Sequence, residues 1–160
     1  WEARAGGVVL VKGGWLYLLG GEKGFVDPAD YFNDVWRTKD GKHWELVTEN
    51  AGWSPRPGHK CAVLANHFVC MGGFGIPFNP LDIWVSTDGA SWKQVSDSPW
   101  NATSPDDIRY DFDMLTVKGG MGGQKPSIFT FGGDRETFIL PPEVNFFRVE
   151  NDVWSYSPVD

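Results

Sequence analysis

Three copies of one short pattern constrain this chain more than any other feature of it. Residues 15–21 read WLYLLGG, 67–73 read HFVCMGG and 127–133 read SIFTFGG. Each is an apolar stretch closed by two glycines, and the leading glycines, Gly20, Gly72 and Gly132, fall 52 and 60 residues apart. A second element follows each pair: NDVW at 33–36, LDIW at 81–84 and NDVW at 151–154. A third follows the first two, RTKDGKHWELV at 37–47 and VSTDGASWKQV at 85–95. An arginine opens each unit, at Arg4, Arg56 and Arg109, and Trp1 and Trp53 stand three residues before two of them. Elements recurring in one order mark tandem supersecondary units, each unable to bury its own apolar faces alone.

The residue types inside a unit predict four strands. With nine Trp, eleven Phe and 20 Gly, the chain favours pleated surfaces and tight turns over helices. The first strand is predicted over about 7–12, 59–64 and 111–117. Gly13-Gly14 and Ala65-Asn66 then supply two-residue hairpin turns, which need positive φ. The second strand is predicted to end at the glycine pair, and the third carries Asp-Val-Trp or Asp-Ile-Trp. Asp40-Gly41 and Asp88-Gly89 mark another hairpin, with Trp44 and Trp92 on the fourth strand.

These residues resemble the kelch repeat: a glycine pair after an apolar strand, an aromatic residue on the third strand, and a Trp after the Asp-Gly turn. The resemblance covers nearly the whole chain and implies an all-β fold of four-stranded antiparallel β-propeller blades, about 1–50, 53–98 and 106–160. The last blade lacks its fourth strand. A closed propeller needs typically four to eight blades, so about three form an incomplete ring with two apolar flanks. The missing blades are expected from a longer parent chain or from associating copies. Kelch propellers support many roles, so the resemblance implies fold rather than function.

Within that reading, Gly20, Gly21, Gly72, Gly73, Gly132 and Gly133 are architectural, allowing unusual φ and close packing. Trp36, Trp84 and Trp154 are expected to wedge between blades, each burying on the order of 200 Å². The three arginines occupy equivalent places, which favours a repeated inter-blade or loop contact. The alternative is a sialidase-like carboxylate site, since sialidases are also propellers that hold a carboxylate with three arginines. The stretch 86–92, STDGASW, resembles a sialidase Asp-box but lacks the residue that separates Asp from Gly there, and reads as a hairpin.

There are two cysteines. With the turn at Ala65-Asn66, Cys61 faces Cys70 across the hairpin as a non-hydrogen-bonded pair, the arrangement that brings side chains closest. A disulfide is expected, worth roughly 2–3 kcal/mol; the alternative is two buried thiols filling the same slots, which Val9 and Leu18 fill in the first unit. A disulfide implies an oxidising compartment. Asn101-Ala102-Thr103 is an N-glycosylation sequon. Together they predict a secreted or extracellular glycoprotein, or else a lumenal domain or the ectodomain of an anchored parent.

The loops joining second and third strands, 22–32, 74–80 and 134–150, are long and apolar. Their Phe25, Tyr31, Phe74, Ile76, Phe78, Phe138, Ile139, Phe146 and Phe147, with Trp53 and Trp100 from loops between blades, are candidate contact residues for a protein partner or a glycan. The alternative is that they pack on one another. No nucleophile, acid/base pair or metal set stands out. His43, His59 and His67 have no ligand spacing, there is no CxxC, and nothing matches the copper site of galactose oxidase, so no metal or cofactor is expected. Asp106, Asp107, Asp111 and Asp113 form the best carboxylate cluster, either solvated or lining a channel around a cation. The net charge of −7 without a basic cluster argues against nucleic acid, and no apolar run reaches the ~18 residues of a membrane span. The expected function is a non-catalytic binding or assembly module. The runner-up is part of a carbohydrate-active propeller enzyme whose catalytic residues lie in other blades.

Overall fold

The computed structural model describes residues 1–24, 31–74, 80–97, 100, 109–119, 125–134 and 149–157. Within them the chain forms eleven strands and no helix. The first sheet runs β1 (Val8–Lys12), β2 (Trp15–Glu22), β3 (Tyr31–Thr38) and β4 (Glu45–Thr48) in chain order. The second runs β5 (Lys60–Leu64), β6 (His67–Met71), β7 (Asp82–Ser86) and β8 (Lys93–Asp97). The third contains β9 (Asp113–Val117), β10 (Ser127–Asp134) and β11 (Val149–Tyr156). Every pairing is antiparallel.

Short turns set the registers. Gly13 and Gly14 both take positive φ, as do Ala65 and Asn66, the backbone that matches the right-handed twist of a hairpin. The connection from third to fourth strand is longer than the two-residue turn that its Asp-Gly predicts. Six residues, 39–44 and 87–92, separate the strands. Thr38 Oγ1 accepts from the amides of Asp40 and Gly41, and Asp40 Oδ1 accepts from those of Lys42 and His43. Ser86 and Asp88 repeat the arrangement. Side chains that satisfy four successive amides replace a tight hairpin by a wider loop. Trp44 and Trp92 therefore precede β4 and β8, and each indole donates to a turn carbonyl, Gly41 O or Gly89 O.

The second strand also departs from expectation. β2 and β10 run through their glycine pairs to Glu22 and Asp134, with register shifts between Leu19 and Gly21 and between Phe131 and Gly133; β6 alone stops before its pair, at Met71. A glycine at positive φ absorbs a bulge and re-aims the strand. The re-aimed strand end then bonds to the segment that enters its own unit, Ala5 with Glu22 and Tyr110 with Asp134.

The three sheets pack face to face in succession. Alternate residues of the second sheet point opposite ways. Phe68 and Cys70 join Tyr17, Leu19, Val35, Ala51 and Trp53 in a first core, against which Trp84 and Trp92 also pack. Val69, Met71 and Ile83 join Leu64, Trp100, Phe112 and Ile128 in a second, with Met114, Trp154 and Tyr156 against it. The leading glycines permit this closeness. A Cβ on Gly20 would stand 2.8 Å from His59 Cε1, and one on Gly72 2.4 Å from Phe112 Cε1. His59 and Phe112 each lie three residues after their unit's arginine, so the second and third units each plant one ring on the glycine of the unit before.

Candidate functional site

The arginines form three copies of one cluster. Arg4, Arg56 and Arg109 pair with Asp34, Asp82 and Asp152 on the third strand of their own sheet, with guanidinium groups almost wholly buried. In the second unit Nη1 and Nη2 donate to the two Asp82 oxygens at 2.5 and 3.0 Å; in the third, Arg109 reaches Asp152 at the same distances. Arg4 grips Asp34 with the same fork. Each Nη1 also donates to the carbonyl of the leading glycine, at 3.0 Å for Gly20, 3.4 Å for Gly72 and 2.8 Å for Gly132. The Trp two residues after each Asp lies on the same strand face and donates its indole N–H to that carboxylate. For Asp82, burial works to raise the carboxyl, but the hydrogen bonds and charge of Arg56 outweigh it and hold it below the usual range. For Asp152 the Arg109 hydrogen bond leads, against burial, with the same direction.

This is a bidentate, desolvated ion pair that locks the entry segment, the bulge and the third strand of one unit together. Of the repeated inter-blade or loop contact expected for the arginines, the inter-blade form is corrected, because each pair closes within its own unit. It also leaves no fork free for an outside carboxylate. The sequence carried the signal: an Asp two residues before each repeated Trp.

Cys61 and Cys70 form a disulfide, with Cα atoms 4.1 Å apart in the expected register. The bridge lies on the face of the second sheet that meets the first. Val9 and Leu18 hold the equivalent positions in the first sheet, and Met114 and Thr130 in the third. Trp84 and Trp154 lie beside these slots and pack into the first and second cores. Trp36 takes the same place on the first sheet, half-buried on a face that no described sheet covers.

Among the aromatic candidates for a contact surface, Tyr31, Trp53, Phe74 and Trp100 are buried to within 7% of full exclusion, which corrects their assignment to an exposed surface. Tyr31 opens β3 and packs edge-on to Phe74, which in turn meets Tyr110. Trp53 stacks edge-on with Trp92, ring centroids 4.3 Å apart, and Trp100 with Phe112 at 5.5 Å. These rings seal the seams between units. Phe25, Ile76, Phe78, Phe138, Ile139, Phe146, Phe147, Asn101, Asp106 and Asp107 lie outside the described residues. Asp111 and Asp113 line a recess of about 340 Å³ where the entry segments meet, with His59, Lys60 and Gly58. No group of three or more His, Cys, Asp or Glu side chains is placed to hold a metal among the described residues.

What is exposed instead is the outward face of each end sheet. On the first, cross-strand partners Val9, Leu18, Trp36 and Leu46 form one row, with Val9, Val11 and Leu46 well exposed. On the third, Leu115 faces Phe129 and Phe131 faces Val153, and Leu115, Phe131 and Val153 are exposed. Val153 is the counterpart of Val35 and Ile83: it is 56% exposed where they are 0%.

Two further residues carry unusual electrostatics. His59 is fully buried, its Nδ1 paired with Arg56 O and its Nε2 without a partner among the described residues; burial, then the nearby Arg56 charge, lowers its pKa to about 3. Glu22 is buried with Oε2 lacking a partner among the described residues, and burial, followed by Asp111, raises its carboxyl. No protein-family model and no curated protein matches the chain. No helix among the described residues is long and apolar enough to cross a membrane.

Proposed function

We propose that the three sheets are kelch-type β-propeller blades and that the chain is a non-catalytic assembly and binding module of an extracellular glycoprotein. One observation carries this: the outward faces of the end sheets are made from the positions that fill the two internal seams. Row by row, Phe131 and Val153 match Leu19 and Val35, which the second sheet covers, and Met71 and Ile83, which the third covers. A face built to that pattern takes another unit of the same kind, so further blades stack on both ends. Exposed apolar faces of this continuity mark interfaces. The disulfide supports an oxidising compartment, and the Asn101 sequon supports the glycoprotein reading.

The test is sedimentation velocity on the isolated chain beside a Phe131→Asp/Val153→Asp variant. Wild type is expected to self-associate or bind an apolar dye, and the variant to lose both while keeping its near-UV spectrum. A strictly monomeric wild type with no dye binding would defeat the reading. Intact mass with and without glycosidase, on protein secreted from eukaryotic cells, tests for sugar at Asn101.

A further inference from the structure

The geometry points to a binding site for a primary ammonium group in the recess where the three entry segments meet. The recess holds about 340 Å³, and its walls include Gly6, Gly58, Lys60, Asp111 and Asp113. All of these belong to this chain, so the site does not depend on the stacking of further units.

The repeat shows what is unusual in it. Gly6, Gly58 and Asp111 are equivalent, each two residues after its unit's arginine, and all three take positive φ, at 60°, 66° and 50°. That backbone suits glycine, which the first two units use; the third places a carboxylate there. Two residues on, Val8 and Lys60 are matched by Asp113, a second acid. The Asp111 side chain lies over the second unit, since a Cβ on Gly58 would stand 3.3 Å from Asp111 Oδ1. From the other side, a Cβ on Gly6 would stand 3.8 Å from both Gly58 N and Glu22 Oε1. Carboxyls of the first and third units thus converge across two bare glycines.

Glu22 supplies an independent reason for a cation. It is 6% exposed, and its Oε2 has no hydrogen-bond partner among the described residues. A buried carboxyl in that state costs free energy until a donor or a cation reaches it. Among the described wall residues Lys60 is the one cation against Asp111 and Asp113, and His59 is neutral, so the recess is net negative. The class of cation follows from geometry. No three His, Cys, Asp or Glu side chains are placed to hold a metal among the described residues. A guanidinium takes both oxygens of one carboxylate, as Arg56 does with Asp82. Carboxyls that arrive from separate units suit instead a compact point charge with three donors, an ammonium. Burial, then Asp111, raises the Glu22 carboxyl, so a cation bound beside it draws off its proton.

The experiment titrates n-butylammonium, which mimics a lysine side chain, onto the isotopically labelled chain and follows amide shifts by NMR. Saturable shifts at Gly6, Gly58 and Asp111 are expected. Tetramethylammonium at equal ionic strength, a cation without N–H donors, is expected to bind about tenfold more weakly or worse. Asp111→Gly copies the first two units and keeps the backbone, and is expected to weaken n-butylammonium by about tenfold or more. Affinity is expected to rise with pH through the raised Glu22 value, because the bound cation favours the carboxylate, and Glu22→Gln is expected to remove that slope. The titratable groups around Glu22 are Tyr31 opposite it on β3, Asp111, and His59, Lys60 and Asp113 on the recess wall. Acetyl-Gly-Lys-Gly-amide binding more tightly than spermidine assigns the ammonium to a protein side chain, and the reverse assigns it to a free polyamine. No saturable shift, equal binding of tetramethylammonium, displacement of the amine by calcium, or wild-type binding by folded Asp111→Gly would overturn the site.

Discussion

The two seams between sheets use the same positions with different chemistry. In the first, the second unit plants a histidine on Gly20, ties its facing strands with Cys61–Cys70 and drapes Trp92 across the edge. In the second, a phenylalanine stands on Gly72, and Met114 and Thr130 occupy the disulfide slots. The difference teaches that the repeat fixes where a contact falls, while the residue placed there sets its strength. Burying one Ile or Phe side chain contributes about 1.5–3 kcal/mol, so a seam of several such residues tolerates polar exceptions such as His59.

The strongest way to break the comparison is at the arginines. Removing Arg56 strands the carboxylate of Asp82 in a desolvated site, so Arg56→Ala is expected to cost about 3–5 kcal/mol in urea unfolding. Arg109→Ala is expected to cost less, because the Asp152 side chain is more exposed than that of Asp82. Equal losses would show that the two clusters are not graded by burial. Next in size, Ile83→Ala opens a cavity in the second core and is expected to cost about 2–5 kcal/mol. The equivalent Val153→Ala, on the open face, is expected to change stability by less than about 0.5 kcal/mol in the isolated chain. In an assembled protein Val153→Ala becomes costly, which sharpens the contrast.

A further effect appears only as the pH falls. His59 has its pKa lowered from 6.5 to about 3 in the folded chain, so between those values the unfolded state takes up a proton that the folded state refuses. Its contribution is complete above pH 6.5 and declines as pH falls through the window. His59→Phe, copying Phe112, is expected to flatten the stability profile between pH 6.5 and 4, before the aspartates lose their charge. An unchanged slope would mean that the ring is not buried neutral.

Much of the fold was legible because strands, two-residue turns and registers are local. The Cys61–Cys70 pairing followed from the position of Ala65-Asn66, and Val9 opposite Leu18 from Gly13-Gly14. The contact surface was not legible, because burial across a seam depends on which residues of two units meet. Trp53 and Trp100 sit in segments without periodicity and read as exposed, yet each meets a ring fixed elsewhere, Trp92 or Phe112. The Arg–Asp clusters have a sequence signature, an Asp two residues before each repeated Trp, but nothing local to that Asp says which arginine it meets, because the partners stand 26 to 43 residues apart.

Packing passes from each sheet to its neighbour, and the bonds inside a sheet join strands adjacent in sequence. A chain built this way behaves like a short stack of coupled tiles, whose cohesion is the sum of what each tile holds and what each join adds. Among the described residues the middle tile has joins on both sides and the outer two have one apiece. In the isolated chain, thermal opening is therefore expected to begin at the outer sheets and travel inward, with the hairpin that carries the disulfide the last to exchange its amide protons.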